Sequence, residues 1–209
     1  MNHFSVKTIA DAHEVLVNRI IWNHDVIQTE NGEQTWEEDS TTITIQYPTL
    51  PNRIHPNSSF QQARCEEYAK QLIRGVQTNQ NASEKFSYTY HERLYFESQF
   101  SDVLFRLKQN PNTRRAVLYT WLPAIDNKSE EDPCLQFIQL LIRNGKLNGT
   151  VVMRSNDVLT AFGPNAYGFV TLMEFIADLL NVKIGTYEHI ITVPHLYPIR
   201  DKADLQRWM

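Results

Sequence analysis

Cysteine is scarce in this chain: its 209 residues contain only Cys65 and Cys134. No CxxC pair and no clustered His/Cys set accompanies them, which argues against a disulfide framework and against a bound metal. Long apolar runs are also lacking, since no stretch approaches the ~20 residues of a membrane span. There is no basic excess either. The formal net charge of -4 gives no footprint for long nucleic acid, although a local arginine cluster can still hold a small anion. The N-terminus, MNHFSVKTIADAHEVL, lacks the basic-then-apolar layout of a secretory signal, so a cytoplasmic location is expected. What is present is ordinary: 42% hydrophobic and 21% charged residues, with no internal repeat and no low-complexity boundary. One folded domain over residues 1–209 is the expectation.

Periodicity divides the chain into short elements. Ile9, Ala12, Leu16 and Ile20 recur at helical spacing and predict a helix over 5–21. Residues 23–36 are polar, with Asn31-Gly32 as a turn. TTITIQY, residues 41–47, alternates and is β-branched, so it reads as a strand. Residues 48–59 carry Pro48, Pro51 and Pro56 and read as loop. A second helix is expected over 59–74, stopped by Gly75. The stretch 76–85 is polar and reads as flexible. A helix over 99–108, a strand over 115–121 and an acidic surface loop over 124–133 follow.

The second half is more sharply patterned. Residues 135–143 and 147–155 flank Asn144-Gly145, a strong signal for a two-residue hairpin turn. A helix is expected after Asn165, with Ala166, Phe169, Val170, Met173, Ala177 and Leu180 on its apolar face. A last strand is expected over 187–193. Short strands, several helices and a hairpin indicate an α+β fold rather than a parallel βαβ array.

The hairpin also locates chemistry. If Arg143 pairs with Lys146, an unbroken ladder puts Cys134 opposite Ser155 and Leu135 opposite Arg154; a bulge shifts this by one residue. A thiol, a guanidinium and a hydroxyl then meet at one end of the hairpin. Positive charge lowers a thiol's pKa and favours the nucleophilic thiolate. Arg154 can also grip an anion bidentately, with Ser155 adding a hydrogen bond. On this geometry alone, a nucleophile and a small buried hydrophobe are equally good readings of Cys134.

Other residues carry paired readings. Arg114-Arg115 is either a phosphate clamp or a solvated basic corner. Asn165 can read a pyrimidine edge or simply cap a helix. Alternation puts His195 and Tyr197 on one face of an extended segment, where together they can hold a ribose hydroxyl. Asp157 belongs with this set. Cys65, within QQARCEEYAKQLIRG, reads as a structural thiol.

The order of these pieces resembles thymidylate synthase. NPNTRRAVLYTW is similar to that family's arginine-pair segment, and DPCLQFIQLLIRNGKL to its nucleophile segment. MRSNDVLTAFGPNAYGFVTLMEFIADLLNV is similar to the stretch from phosphate-binding arginine to base-reading asparagine, and HLY to its histidine–tyrosine pair. YTYHERL and SND look most like the compact archaeal-type branch. The resemblance covers roughly residues 86–200. It implies a mixed β-sheet with helices packed on it and a sheet-mediated homodimer. It also implies reductive methylation of dUMP to dTMP with methylenetetrahydrofolate or a related pterin.

Carried over residue by residue, the resemblance makes Cys134 the nucleophile at C6 of uracil. Asp157 would position the pterin or its water network, and Asn165 would read the O4/N3 edge. Arg154 and Ser155 would hold the 5′-phosphate, with Arg114 and Arg115 reaching the partner subunit's site. His195 and Tyr197 would hold the sugar 3′-hydroxyl.

Several positions depart from the family pattern. TENGEQTWEE stands where a glycine- and threonine-rich phosphate loop is usual, and ADLQRWM does not match the usual closing tail. Leu135 and Met153 replace a histidine and a glutamine. Glu67 is the nearest candidate for the family's catalytic glutamate, one residue out of step. Two alternatives therefore stand beside methylation: hydroxymethylation of dUMP or dCMP, and nucleotide binding without catalysis. Asn165 argues against cytosine.

Overall fold

The computed structural model describes residues 1–76, 88–129 and 131–209; most of the polar stretch 76–85 lies outside them. Strand β1 (Asn2–Val6) leads into helix α1 (Ile9–Trp22). The helix starts where Thr8 and Asp11 form a capping box, each side chain bonding the other's main-chain amide. Ile9, Ala12, Leu16 and Ile20 are all buried, as their spacing predicts. The helix does not reach back to residue 5, because Ser5 and Val6 are taken by parallel pairing with Thr44 and Ile45.

The polar stretch before Trp36 forms a hairpin, β2 (Asp25–Gln28) and β3 (Gln34–Glu37). Every β2 residue is exposed, so the strand carries no apolar alternation that would reveal it. Next come β4 (Thr41–Ile45) and the expected proline loop. Helix α2 (Gln62–Arg74) ends at Gly75 as expected but starts later than residue 59. The Ser58 hydroxyl accepts from the Phe60 amide there and holds a turn instead.

Helix α3 (Tyr90–Leu94) carries a Thr89/Glu92 capping box, and α4 (Gln99–Gln109) matches its prediction closely. Strand β5 is only Val117–Tyr119. The segment read as an acidic surface loop begins as a short helix, α5 (Pro123–Asp126). Its Asp126 is buried because Arg93 pairs with it at 2.8 Å.

Strands β6 (Leu135–Arg143) and β7 (Lys146–Asp157) form the predicted hairpin. Asn144 and Gly145 both have positive φ, 52° and 71°, as a type I′ turn needs. Helix α6 (Phe162–Leu180) and strand β8 (Lys183–Leu196) follow, then α7 (Lys202–Leu205). Helix α6 begins three residues before Asn165, so Asn165 lies inside it and does not cap it.

One mixed sheet runs β1-β4-β8-β7-β6-β5, with β3 also on β8 and β2 on β3. Parallel pairing is confined to β1/β4 and β7/β8; the other pairs are antiparallel. The β7–α6–β8 crossover is the one that matters for the site, because it sets Ser155 and Asp157 beside Val193 and His195. The core lies between the sheet and its helices, with Leu118, Leu135, Leu140, Val151 and Ile191 facing residues such as Leu16, Phe169 and Met173. This is the expected α+β architecture. Among the described residues no helix is long and apolar enough to cross a membrane.

Candidate active site

Cys134 stands immediately before β6. The β6/β7 ladder keeps Arg143 opposite Lys146 but shifts between Leu135 and Phe137, so Leu135 lies opposite Met153. The shift is the one-residue bulge that the hairpin geometry allowed for. It moves Cys134 from Ser155 to Arg154, whose amide donates to the Cys134 carbonyl at 2.9 Å. Bulges re-aim side chains next to functional sites, and this one sets the thiol beside the guanidinium.

The guanidinium is already held. Its Nε lies 3.1 Å from the Asp132 carboxylate and donates to the Pro133 carbonyl, while Nη2 donates to the Asp132 carbonyl. Its side chain remains 41% exposed, which leaves room for an anion. Cys134 is half-buried, and burial pushes its thiol above the usual range. Arg154 opposes that shift and Asp132 adds to it. The expected lowering by arginine is therefore outweighed, because burial dominates and Arg154's charge is shared with Asp132.

Ser155 and His195 come together across β7 and β8, Oγ to Nδ1 at 3.3 Å. The His195 ring stands edge-on to Tyr197, with centroids 5.2 Å apart. Arg200 stacks over the Tyr197 ring at 3.7 Å and donates to Asp157 Oδ2 at 2.7 Å. Asp157 also accepts from the Leu159 and Thr160 amides and from the Thr160 hydroxyl, which fixes the turn into α6. Ser155, His195, Tyr197, Arg200 and Asp157 thus form one connected rim.

Asn165 closes the other side. Its Oδ1 accepts from the Tyr68 hydroxyl at 2.8 Å, and its Nδ2 lies 3.9 Å from Met153 Sδ. Met153 is opposite Leu135, the residue after the thiol. Tyr68, Tyr88 and Tyr90 are each pushed upward, mainly by burial, and each also feels the Cys134 charge. The Tyr90 hydroxyl accepts from the Leu135 amide at 3.1 Å, so α3 is tied to the start of β6. Behind it, the Arg93 guanidinium lies over the Tyr88 ring at 4.9 Å.

Cys134, Arg154, Ser155, Asp157, Asn165, His195 and Tyr197 are therefore gathered at one end of β6, β7 and β8. Arg114 and Arg115 are not. They are exposed and precede β5, and the Arg114 carbonyl accepts from Gln139, five residues along β6 from Cys134. That is roughly 17 Å along the strand. Glu67 has Arg64 3.4 Å away, and it is the next residue, Tyr68, that bonds Asn165. Cys65 is buried and its thiol is pushed up to about 11 by burial, which suits a structural thiol. Residue-by-residue reading missed Tyr68, Tyr90, Arg93 and Arg200. Only YTYHERL hinted at two of them.

Residues 21–205 match the family model described as thymidylate synthase. The chain belongs to the thymidylate synthase family. A protein of Methanocaldococcus jannaschii named "Putative thymidylate synthase" is 40% identical over 207 residues, covering 93% of this chain and 90% of that one. A protein of Methanosarcina barkeri with the same name is 39% identical over 196 residues, covering 91% and 87%. A deoxyuridylate hydroxymethyltransferase of Bacillus phage SP01 is 34% identical over 129 residues, covering 54% of this chain and 34% of that protein.

Within the thymidylate synthase family, this chain's TENGEQTWEE segment forms the turn and the second strand of the β2–β3 hairpin. It docks on β8, Trp36 opposite Leu196 and Glu37 opposite His195. Glu33 from its loop feeds a negative charge toward Tyr197. Acidic residues thus stand near His195 and Tyr197, and Arg19, the nearby cation on α1, is bound to Glu38 at 2.9 Å.

Proposed function

We propose that this chain is a thymidylate synthase, converting dUMP to dTMP through a covalent bond between Cys134 and C6 of the pyrimidine. The thiolate adds to C6, and the displaced electron pair moves through C5 to O4 as an enolate. The Asn165 carboxamide would donate Nδ2 to O4 and accept N3–H, stabilising charge where it develops. Arg154 and Ser155 would hold the 5′-phosphate, and His195 with Tyr197 the 3′-hydroxyl. Methylenetetrahydrofolate or a related pterin supplies the one-carbon unit and, in methylation, the hydride. Asp157, held in the rim by Arg200 beside Tyr197, would position that co-substrate or its water network.

The observation that carries this reading is the Asn165 carboxamide standing between Tyr68 and Met153, next to the Cys134–Arg154 pair. Arg114 and Arg115 serve the neighbouring site of a homodimer, since they lie far along β6 from their own Cys134. Residues 1–209 act as one catalytic domain in the cytoplasm. Incubation with dUMP and methylenetetrahydrofolate should yield dTMP and dihydrofolate. Absence of both, with the protein folded and Cys134 intact, overturns the reading.

The similarity to a deoxyuridylate hydroxymethyltransferase favours a second reading, in which water rather than hydride completes the reaction. Product mass separates the two, because hydroxymethyl-dUMP carries one oxygen more than dTMP.

A further inference from the structure

We propose that Tyr68 is a positioning residue that fixes the Asn165 carboxamide and so makes the site prefer uracil to cytosine. The inference rests on the proposed dUMP chemistry and names the residue that sets its base specificity. Tyr68 on α2 and Asn165 on α6 are joined by a 2.8 Å hydrogen bond with the phenol donating to Oδ1. Burial holds the phenol protonated far into the alkaline range, so it remains a donor throughout the working pH range.

The close approach depends on Gly168, three residues after Asn165. A Cβ there would stand 2.8 Å from Cδ1 and Cε1 of Tyr68, so any side chain would push the ring aside. The absent side chain lets the ring lie against α6 and carry its hydroxyl to Asn165.

With Oδ1 engaged by Tyr68, Nδ2 points toward Met153 Sδ at 3.9 Å. A thioether is a weak acceptor, which a carbonyl of the ligand readily replaces. Uracil presents O4 as an acceptor beside N3–H as a donor, while cytosine presents an N4 amine beside an N3 acceptor. The pinned carboxamide suits the first. Turning it over for the second would bring Nδ2 toward the Tyr68 proton and lose an acceptor from a buried donor. Tyr68 therefore acts through Asn165 and does not itself touch the reacting carbons.

The test compares calorimetric binding of dUMP and dCMP by the wild type, Tyr68→Phe and Gly168→Ala. Tyr68→Phe keeps the ring and removes only the hydroxyl; Gly168→Ala displaces the ring and keeps the hydroxyl. The dUMP-over-dCMP preference should narrow about tenfold in Tyr68→Phe, chiefly through weaker dUMP binding, and narrow likewise in Gly168→Ala. Where one variant fails to fold by circular dichroism, the other decides. A wild-type preference left within about twofold in the folded variants overturns the role of Tyr68 alone. A folded wild type that binds no dUMP overturns the dUMP reading and this role together.

Discussion

The Arg154 amide donates to the Cys134 carbonyl at 2.9 Å, so the thiol and its nearest cation share one rung of the β6/β7 ladder. Their spacing is therefore fixed by main chain rather than by side-chain choice. The same guanidinium is pinned by Asp132 and Pro133, the two residues before the thiol. Phosphate held by Arg154 would stand over the turn that carries Cys134.

That coupling predicts a pH profile. Burial raises the Cys134 thiol above its ordinary range while Arg154 pulls it down. The thiolate is the reacting form, so alkylation of Cys134 by iodoacetamide should accelerate through the alkaline range and level off only above the ordinary thiol pKa. Arg154→Gln should move the curve further toward alkaline pH. Peptide mass mapping of the Cys134 segment gives the rates. A plateau reached below the ordinary thiol range, or an unmoved curve in Arg154→Gln, contradicts this electrostatic account.

Arg200 joins the two halves of the rim, stacking on Tyr197 and bonding Asp157. Its side chain is 44% exposed, so its ion pairs add less than about 1 kcal/mol to stability. Arg200→Ala should therefore leave the urea midpoint nearly unchanged while raising KM for dUMP about tenfold. A large loss of stability with unchanged KM would show a structural brace instead.

Two histidines make folding sensitive to acid. Burial lowers His13 to about 4 and His189 to about 3, below the unfolded value of 6.5. In the unfolded chain both gain protons below pH 6.5, whereas in the folded chain they stay neutral until near their lowered values. Stability contributed by each is thus full above pH 6.5 and falls by up to about 1.4 kcal/mol per pH unit on the way down. Urea unfolding at pH 7 and pH 5 should show this loss, reduced in His189→Gln. Equal stability of the wild type at the two pH values would contradict it.

Much of the fold was legible because some elements carry their whole signal locally. The run Leu135–Arg143 is apolar and strand-like, Asn144-Gly145 is a strong signal for a tight turn, and both bounds of β6 follow from sequence. The Ile9, Ala12, Leu16, Ile20 stripe likewise located α1. Strand β2 was hidden because all its side chains face water. The Cys134 partner was one residue off because a bulge leaves no local mark. The rim residues came from ordered motifs. Tyr68 and Arg200 did not, because each acquires its role from a contact far away in sequence, Asn165 and Asp157 respectively. Asp126 was hidden for the same reason: Arg93, which buries it, lies on another helix.

The central claim is that Cys134 attacks C6 so that C5 can exchange its hydrogen for a one-carbon unit. Tritium release to water from dUMP labelled at C5 tests it most directly, since methylation and hydroxymethylation both require that release. In the presence of methylenetetrahydrofolate, the wild type should release tritium, and Cys134→Ala should release about 10⁴-fold less or none while still binding dUMP. No release from the folded wild type, or undiminished release from Cys134→Ala, would contradict the account.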